Sequence, residues 1–414
     1  INLRSLIVTA TDFDFTKFDS TVFVALELSS NQWKLAFASS HSARVRLRTI
    51  AAGDLQALEQ EIRLAKAKFR LSEEAPIQSC YEAGRDGHWI HRALLAVGIN
   101  NFVIESSCLE VDRRQKQRKT DRLDAIKMVH ALVRYCRGER SSLRVNHVPE
   151  TGDEDIRNLQ RELQTIRTDR NRINNRIKSL LVAQGIRLTS IDAEFPLQLA
   201  RLTTGDGKSL GEYLVARLER DFARMQLCVA QIRELEKHRA ELFRQAARDC
   251  EKTAARQQIA DRLIELCGIG VEGSWTLSTE LFAWREFTNR KQVGAVVGLT
   301  PTHYSSGKLE RELGISKAGR GQLRSLLVEL AWLWLQYQPG SNLARWYQKK
   351  VSGQGSRGRR IAIVALARKL VVALWKYAMK GEIPKGARFK TEKQKRRFPL
   401  TPSLGAPPTL VNAA

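Results

Sequence analysis

The spacing of apolar residues changes near residue 140, and this change limits the possible folds more than any other feature of the sequence. Before it, short stretches alternate, as Val22, Val24 and Leu26 do, and stretches with helical spacing lie between them. After it, apolar residues recur at intervals of three and four over long distances. A period of two is typical of strands, and the longer period is typical of amphipathic helices. An α/β region followed by a mainly helical region is therefore predicted.

The first region, residues 1–140, has the predicted element order β-β-β-α-β-α-β. The predicted strands lie at 22–27, 33–37, 45–50, 77–81 and 102–104, and the predicted helices lie at 55–71 and 88–97. This order is that of an RNase H-like, or RuvC-like, nuclease domain, and we interpret the region as one.

Four acidic residues fall at the ends of these predicted elements. Glu27 closes the first strand and Glu82 closes the fourth, while Asp121 and Asp124 begin a helix that runs to about Cys136. A spacing of three puts both aspartates on one helix face. Converging carboxylates repel one another unless a divalent cation lies between them, and Mg²⁺ takes oxygen ligands and can clamp the oxygens of a phosphodiester. The four acids together predict a Mg²⁺ site, with Mn²⁺ as an alternative, although each acid alone is more simply explained as a surface charge.

Basic residues outnumber acidic ones, with 69 Lys and Arg against 44 Asp and Glu and a formal net charge of +25. Such an excess favours a polyanion as partner, and nucleic acid is the usual one. The basic run before Asp121 is predicted to contact nucleic acid through Arg113, Arg114 and Lys119.

The sequence does not favour a membrane-bound or a secreted protein. No apolar run approaches the roughly 18 residues of a spanning helix, so no membrane partner is expected, and no signal peptide is visible. The six cysteines are scattered without metal-ligand spacing, which favours reduced thiols in the cytoplasm.

Residues 141–258 carry the longest helical pattern. Apolar residues keep a spacing of three and four in two runs, which comprise Ile156, Leu159, Leu163, Ile166, Ile173, Ile177 and Leu180 in the first and Leu218, Phe222, Met225, Val229 and Ile232 in the second. This pattern is typical of a coiled-coil hairpin or of a coiled coil between subunits. Two long helices of an ordinary bundle would explain it equally well.

Residues 259–384 are predicted to form a mainly α-helical domain. Its beginning, an apolar helix, a Gly-Ile-Gly turn and a second apolar helix, resembles a helix-hairpin-helix. In such a turn the backbone N–H groups of Gly268 and Gly270 bind a phosphate without reading base sequence. A turn that merely connects two helices is the alternative.

A second feature of this domain lies between residues 297 and 334. It begins with turn-forming residues that include Ser305, Ser306 and Gly307, continues with cations and ends in an apolar helix. A hydroxyl followed at once by cations suits the binding and attack of a phosphodiester, because Arg and Lys favour phosphate. The predicted phosphate contacts are Lys308, Arg311, Lys317, Arg320 and Arg324. The simpler alternative is an ordinary turn beside a solvated basic face, and residues 385–414 are predicted to be a disordered basic tail.

Two sets of residues resemble one known family. The strings Gly298-Leu299-Thr300-Pro301, Tyr304-Ser305-Ser306-Gly307 and Gly314-Ile315-Ser316-Lys317-Ala318-Gly319 are similar to the C-terminal domain of insertion-sequence 110 family transposases, and in detail to their insertion-sequence 1111 subgroup. The set Glu27, Glu82, Asp121 and Asp124 resembles the family's N-terminal RuvC-like DEDD domain, with glutamate where aspartate is more usual at the first position. The resemblance covers about residues 20–380.

The resemblance implies a DNA recombinase that moves its own element between donor and target DNA, guided by a structured noncoding bridge RNA. It also implies a dimer of dimers that works in the cytoplasm at the nucleoid. The family's nucleophilic serine matches Ser306, with the adjacent Ser305 as the alternative, and its Mg²⁺-binding acids match the four named above. Two other functions stay open, a metal-dependent junction-resolving nuclease that uses only the acids and a non-catalytic protein that packages nucleic acid.

Overall fold

The computed structural model describes residues 20–39, 42–105, 121–249, 251–306, 309–317 and 319–391. The chain divides into two compact units, residues 1–148 and residues 149–414, and each is described by itself.

The first unit is built on a five-stranded sheet. Its elements are β1 (Val22–Leu28), β2 (Gln32–Ser39), β3 (Ser42–Ala51), α1 (Leu55–Lys68), β4 (Ile77–Glu82), α2 (Trp89–Ala96), β5 (Asn100–Ile104) and α3 (Asp121–Cys136). The strand order is β3-β2-β1-β4-β5. Strands β1 to β3 are antiparallel neighbours, whereas β4 runs parallel to β1 and to β5. The predicted α/β class of this region is confirmed.

The two faces of this sheet bury different side chains because successive strand residues point to opposite sides. One face carries large residues such as Leu26, and α1 and α2 cover it. The other face carries small residues such as Ala25 and Ala36 beneath Met128 and Leu132 of α3. The small side chains leave room for α3 to lie close to the backbone of β1 and β2.

The second unit begins with two long helices, α4 (Thr151–Val182) and α6 (Glu212–Asp249), with the short α5 (Phe195–Leu199) between them. The long helices run antiparallel, since Arg176 near the end of α4 pairs with Asp221 near the start of α6 at 2.7 Å. The predicted helical character of this region is confirmed. A coiled-coil geometry within this pair stays a prediction.

The rest of the second unit is a helical core with one hairpin. Its elements are α7 (Glu251–Ile264), α8 (Val271–Leu277), a π-helical turn (Ser278–Phe282), α9 (Arg290–Val296), β6 (Pro301–Ser306), β7 (Leu309–Ile315), α10 (Gly321–Tyr337), α11 (Asn342–Val351) and α12 (Ser356–Lys380). Leu327 of α10 and Leu370 of α12 are fully buried in its centre. The mainly helical prediction is confirmed, but the serines expected on a turn lie in strand β6.

Residues 385–391, expected to begin a disordered tail, pack on this helical core instead. Lys390 donates a backbone hydrogen bond to Glu265 at 2.8 Å, and its ammonium donates to the Ile269 carbonyl at 2.7 Å. Burial lowers the pKa of this lysine. Residues 392–414 of the predicted tail lie outside the described residues. In the part of the chain that the structure describes, no helix is long and apolar enough to cross a membrane.

Candidate active-site residues in the two units

The predicted acids of the first unit share one face of its sheet. Core residues Ala25 and Cys80 lie on the face covered by α3, and Glu27 and Glu82 continue that alternation two residues later. The two glutamates also lie at the same edge, because they directly follow Leu26 and Tyr81, which are register partners in the parallel strands β1 and β4. Both are partly buried.

The two predicted aspartates come from the helix on this same face. Asp121 and Asp124 form the first turn of α3. The ammonium of Lys34 lies 3.4 Å from the Asp121 carboxylate, and Lys34 is the cross-strand partner of Glu27. The fold therefore brings the start of α3 to the end of β1, and the lysine opposite Glu27 pairs with Asp121.

These acids suit Mg²⁺ chemically, because carboxylate oxygens are the ligands that this ion prefers. Their side chains do not form a ready-made cage, since among the described residues no three acidic, His or Cys side chains are grouped closely enough to hold one ion. Lys34 supplies a positive charge in the position beside Asp121.

We expect Lys34→Met to tighten Mg²⁺ binding by about two- to five-fold, because it removes an ion pair of about 0.5–1 kcal/mol that competes for Asp121. Displacement of bound Mn²⁺ by Mg²⁺, followed by electron paramagnetic resonance, measures the change. Lys237→Met is the matched control, since Lys237 lies 3.9 Å from Glu241 on the exposed surface of α6. Unchanged or weaker Mg²⁺ binding in Lys34→Met would show that the lysine does not compete with the ion.

The serines of the second unit lie in a two-stranded antiparallel hairpin. Ser306 pairs with Leu309 as the last pair before the connection at 307–308, and Ser305 pairs with Glu310. The backbone therefore carries both serines at the tip of β6. They and the four acids belong to different units.

The base of this hairpin is fixed to the end of α9 by close backbone contacts. The N–H of Lys317 donates to the Gly298 carbonyl at 3.1 Å, and Lys317 has a positive φ of 57°. Gly319 has a φ of +67°, and a Cβ at this position would lie 2.4 Å from the Val296 carbonyl oxygen. Only glycine fits there, because a side chain would meet backbone that cannot move aside.

Arg320, a predicted phosphate contact, has a carboxylate partner in the structure. It forms an ion pair with Glu280, a residue of the π-helical turn whose side chain is 5% exposed. Two arginines of α4 bind the same carboxylate, Arg157 at 3.2 Å and Arg161 at 2.9 Å. The three guanidinium groups join the first turns of α4, the π-helical turn and the start of α10. A phosphate contact by Arg320 stays a prediction.

The charges around Glu280 shift one another's pKa values. Burial raises the pKa of Glu280, but hydrogen bonds and charge from Arg161, with Arg320 and Arg157, outweigh it and hold the pKa below its usual value. Burial lowers the pKa of Arg157 and of Arg320, and the like charge of Arg161 lowers both further. The carboxylate is therefore ionised among three guanidinium groups. The sequence signal for this group is a single acid inside the mainly apolar run 274–284, which the predicted site residues do not include.

A second carboxylate anchors the middle of the long helices. Glu272 of α8 binds Arg167 of α4 at 2.5 Å and Arg239 of α6 at 3.0 Å. Gln160 of α4 also donates to it at 2.5 Å. The long helix pair is thus held to the helical core at two acids, Glu272 and Glu280.

The other predicted nucleic-acid contacts have varied surroundings. Gly270 is exposed, whereas Gly268, with a φ of +87°, approaches α10 so closely that a Cβ would lie 3.1 Å from the Leu333 carbonyl. Close packing on α10 accounts for glycine at 268. Lys317 is exposed, and Arg324 donates to the Gly319 carbonyl at 3.2 Å. Arg113, Arg114, Lys119 and Lys308 lie outside the described residues, and for Arg311 the structure describes only the backbone, in β7.

The two tryptophans near the end of α10 differ in environment. Trp334 is fully buried, but Trp332 of the same apolar helix is 49% exposed. The difference follows from helix geometry, because residues two apart on a helix point in different directions.

Comparison with known proteins identifies the relatives of this chain. The sequence model of the "Transposase IS116/IS110/IS902 family" matches residues 260–348, which contain the hairpin. A candidate transposase of Sinorhizobium fredii (strain NBRC 101917 / NGR234), y4rJ, is 37% identical over 381 residues, 89% of this chain and 95% of the relative. The transposase for insertion sequence element IS1111A of Coxiella burnetii is 25% identical over 298 residues, 70% of this chain and 74% of the relative. The transposase for IS1328 of Yersinia enterocolitica is 29% identical over 225 residues, 50% of this chain and 63% of the relative. This chain belongs to the IS116/IS110/IS902 family of transposases.

Proposed function

We propose that this transposase cleaves and rejoins DNA with Ser306 as nucleophile, assisted by Mg²⁺ held at Glu27, Glu82, Asp121 and Asp124. The observation that carries the proposal is the common position of the four acids. They lie at the ends of β1 and β4 and at the start of α3, on one face and one edge of the sheet.

The topology of the first unit supports an RNase H-like reading of this site. Three antiparallel strands continue into parallel β4 and β5 in the order β3-β2-β1-β4-β5. In this arrangement the central strand β1 lies beside β4, and the carboxyl ends of both strands meet at one edge. That edge is where acids from two strands can act on one phosphate.

The serine step exchanges one phosphoester bond for another. The Ser306 hydroxyl oxygen attacks a DNA phosphorus and forms a phosphoserine bond as the bond from phosphorus to one deoxyribose oxygen breaks. The serine proton passes to a base, and the released deoxyribose oxygen takes up a proton. In rejoining, a deoxyribose hydroxyl attacks the phosphoserine and restores the serine, so that strand exchange needs no external energy source. Because a serine hydroxyl is a weak nucleophile, it needs a base that takes up its proton.

Bound Mg²⁺ supplies Lewis-acid stabilisation of charge on the phosphate. The cations Lys317 and Arg324 at the base of the hairpin hold backbone phosphates of donor and target DNA. We further propose that a bridge RNA guides the choice of both DNA sites and that the protein works as a dimer of dimers. The resemblance to the family supports both the bridge RNA and the dimer of dimers, and the net charge of +25 suits the binding of RNA and of DNA.

A trapping experiment tests the proposed chemistry. Protein, RNA transcribed from the flanks of the element and end-labelled donor and target DNA are incubated with Mg²⁺, then separated on a denaturing gel. We expect a covalent protein–DNA adduct that Asp121→Asn lowers by about 100-fold or more, because charge stabilisation at the phosphate is lost.

Asp206→Asn is the matched control, since Asp206 forms an exposed ion pair with Lys208 in the other unit. Cleavage without an adduct would favour the junction-resolving nuclease. Nucleic-acid binding without any cleavage would favour the packaging protein.

A further inference from the structure

An open cavity of about 730 Å³ lies against α10, next to the hairpin that carries Ser306. Apolar side chains, among them Leu299 and Val328, form most of its wall. Two cations, Lys317 and Arg324, also line it, as does the acidic Glu329. The cavity size is within the roughly 300–1,000 Å³ that is usual for small-ligand sites.

Trp332 gives this cavity an aromatic wall. Its side chain is 49% exposed, although the neighbouring Ala331 and the nearby Trp334 of the same helix are buried. The buried Tyr347 meets the Trp332 ring edge-on, with the ring centroids 6.2 Å apart. The indole is therefore held in place by a core residue while one side of it stays open to the cavity.

Arg324 and the indole lie along one stripe of α10, and Lys317 lies just before this helix. Arg324, Val328 and Trp332 are spaced by four residues, so they follow one another on the same helix face over about 12 Å. A ligand that fits this stripe carries negative charge at the Arg324 end and a flat apolar ring at the Trp332 end. A nucleotide has both features, since its phosphate is anionic and its base stacks on aromatic rings.

We propose that this cavity binds an unpaired nucleotide, with its base on Trp332 and its backbone phosphate at Lys317 and Arg324. The assignment depends on the proposed function only in taking nucleic acid as the partner, and it does not require Ser306 chemistry. A second copy of this chain fits less well, because its own positive charge would meet Lys317 and Arg324. The unpaired nucleotide belongs either to a melted DNA strand or to a loop of RNA.

Fluorescence anisotropy of the full chain tests the proposal with a labelled 20-nucleotide single strand, as DNA and as RNA of the same sequence, in EDTA so that no strand is cut. We expect Trp332→Leu to weaken binding by about 10-fold, since stacking contributes roughly 1–3 kcal/mol per base, and Trp332→Phe to restore most of it. Binding of a blunt duplex should change much less. If Trp332→Leu weakens the binding of the DNA strand more, the nucleotide belongs to melted DNA. If it weakens the binding of the RNA strand more, the nucleotide belongs to an RNA loop.

Tyr337→Leu is the matched control, because Tyr337 is also 49% exposed on α10 but does not line the cavity. The salt dependence separates the two ends of the site. Lys317→Gln and Arg324→Gln should lower the slope of log Kd against log salt concentration by about one each, whereas Trp332→Leu should leave it unchanged.

Three results would overturn the proposal. The first is an affinity of folded Trp332→Leu for the single strand that equals that of the wild type. The second is an equal loss of affinity for single strand and duplex. The third is a change of oligomeric mass in this variant, which marks the cavity as a subunit contact. Cross-linking of a 5-iodouracil strand to the unaltered protein gives an independent measurement, with Trp332 as the expected site. Protein that binds the strand through Trp332 but forms no adduct with DNA contradicts the serine chemistry alone.

Discussion

Ser306→Ala is expected to abolish the covalent protein–DNA adduct and to lower strand exchange by at least about 10³-fold, because no other group takes over from a lost nucleophile. Nucleic-acid binding should stay close to that of the wild type. The adduct is measured on denaturing gels and mapped by mass spectrometry, and binding is measured by anisotropy with the same DNA.

Ser305→Ala is the control for this result. The two serines are neighbours in β6, but Ser306 occupies the last paired position before the hairpin connection and Ser305 the position before it. We expect Ser305→Ala to keep the adduct. The opposite outcome, loss of the adduct in Ser305→Ala alone, moves the nucleophile by one residue, and an adduct that survives both substitutions would falsify the serine mechanism.

Glu280→Gln is expected to destabilise the second unit by about 3–5 kcal/mol, because it leaves the guanidinium groups of Arg157, Arg161 and Arg320 without their shared negative charge. Urea denaturation followed by tryptophan fluorescence measures the free energy of unfolding. Glu241→Gln is the matched control, since Glu241 pairs with Lys237 on the exposed surface of α6 and should contribute less than about 1 kcal/mol. A loss in Glu280→Gln no larger than that of the control would show that the arginines do not depend on this carboxylate.

The effect of Glu280 should depend on pH in a defined direction. Its pKa in the folded protein lies below the ordinary value of 4.5, so its stabilising contribution is present above about pH 4.5 and is lost as the pH falls through the lowered pKa. The difference in unfolding free energy between the wild type and Glu280→Gln should therefore shrink on acidification. A difference that stays constant down to pH 3 would contradict this assignment.

The order of elements in the first unit was predictable because alternation in short strands is a local property. Strands β1 and β2 and helix α1 lie where spacing and turn residues placed them. Glu82 is the last residue of β4, and Glu27 is the last but one of β1. The hairpin of β6 and β7 was not predicted as strands. Its sequence, rich in turn-forming and charged residues, has no clear alternation. Hydrogen bonds just outside the two strands fix it: the N–H groups of Ser316 and Lys317, after β7, donate to the carbonyls of Thr300 and Gly298, before β6.

The environments of single side chains were the least predictable feature. Trp332 and Trp334 read alike in an apolar run, but one faces a cavity and the other the core. Arg320 reads as one more cation of a basic stretch, yet its partner Glu280 lies 40 residues earlier. Neither distinction is visible without the neighbours that surround each residue.

The sequence by itself predicted the α/β and mainly helical classes of the two regions and the family, because hydrophobic spacing and local motifs depend on residues close together in the chain. The catalytic roles of the four acids and of the serine stay predictions. Only the tertiary structure decided that Lys34 lies beside Asp121, that Glu280 gathers three arginines and that Trp332 is open to a cavity. Those contacts join residues far apart in sequence, and the charge and burial that they create arise only when the packed helices and strands exclude water between them.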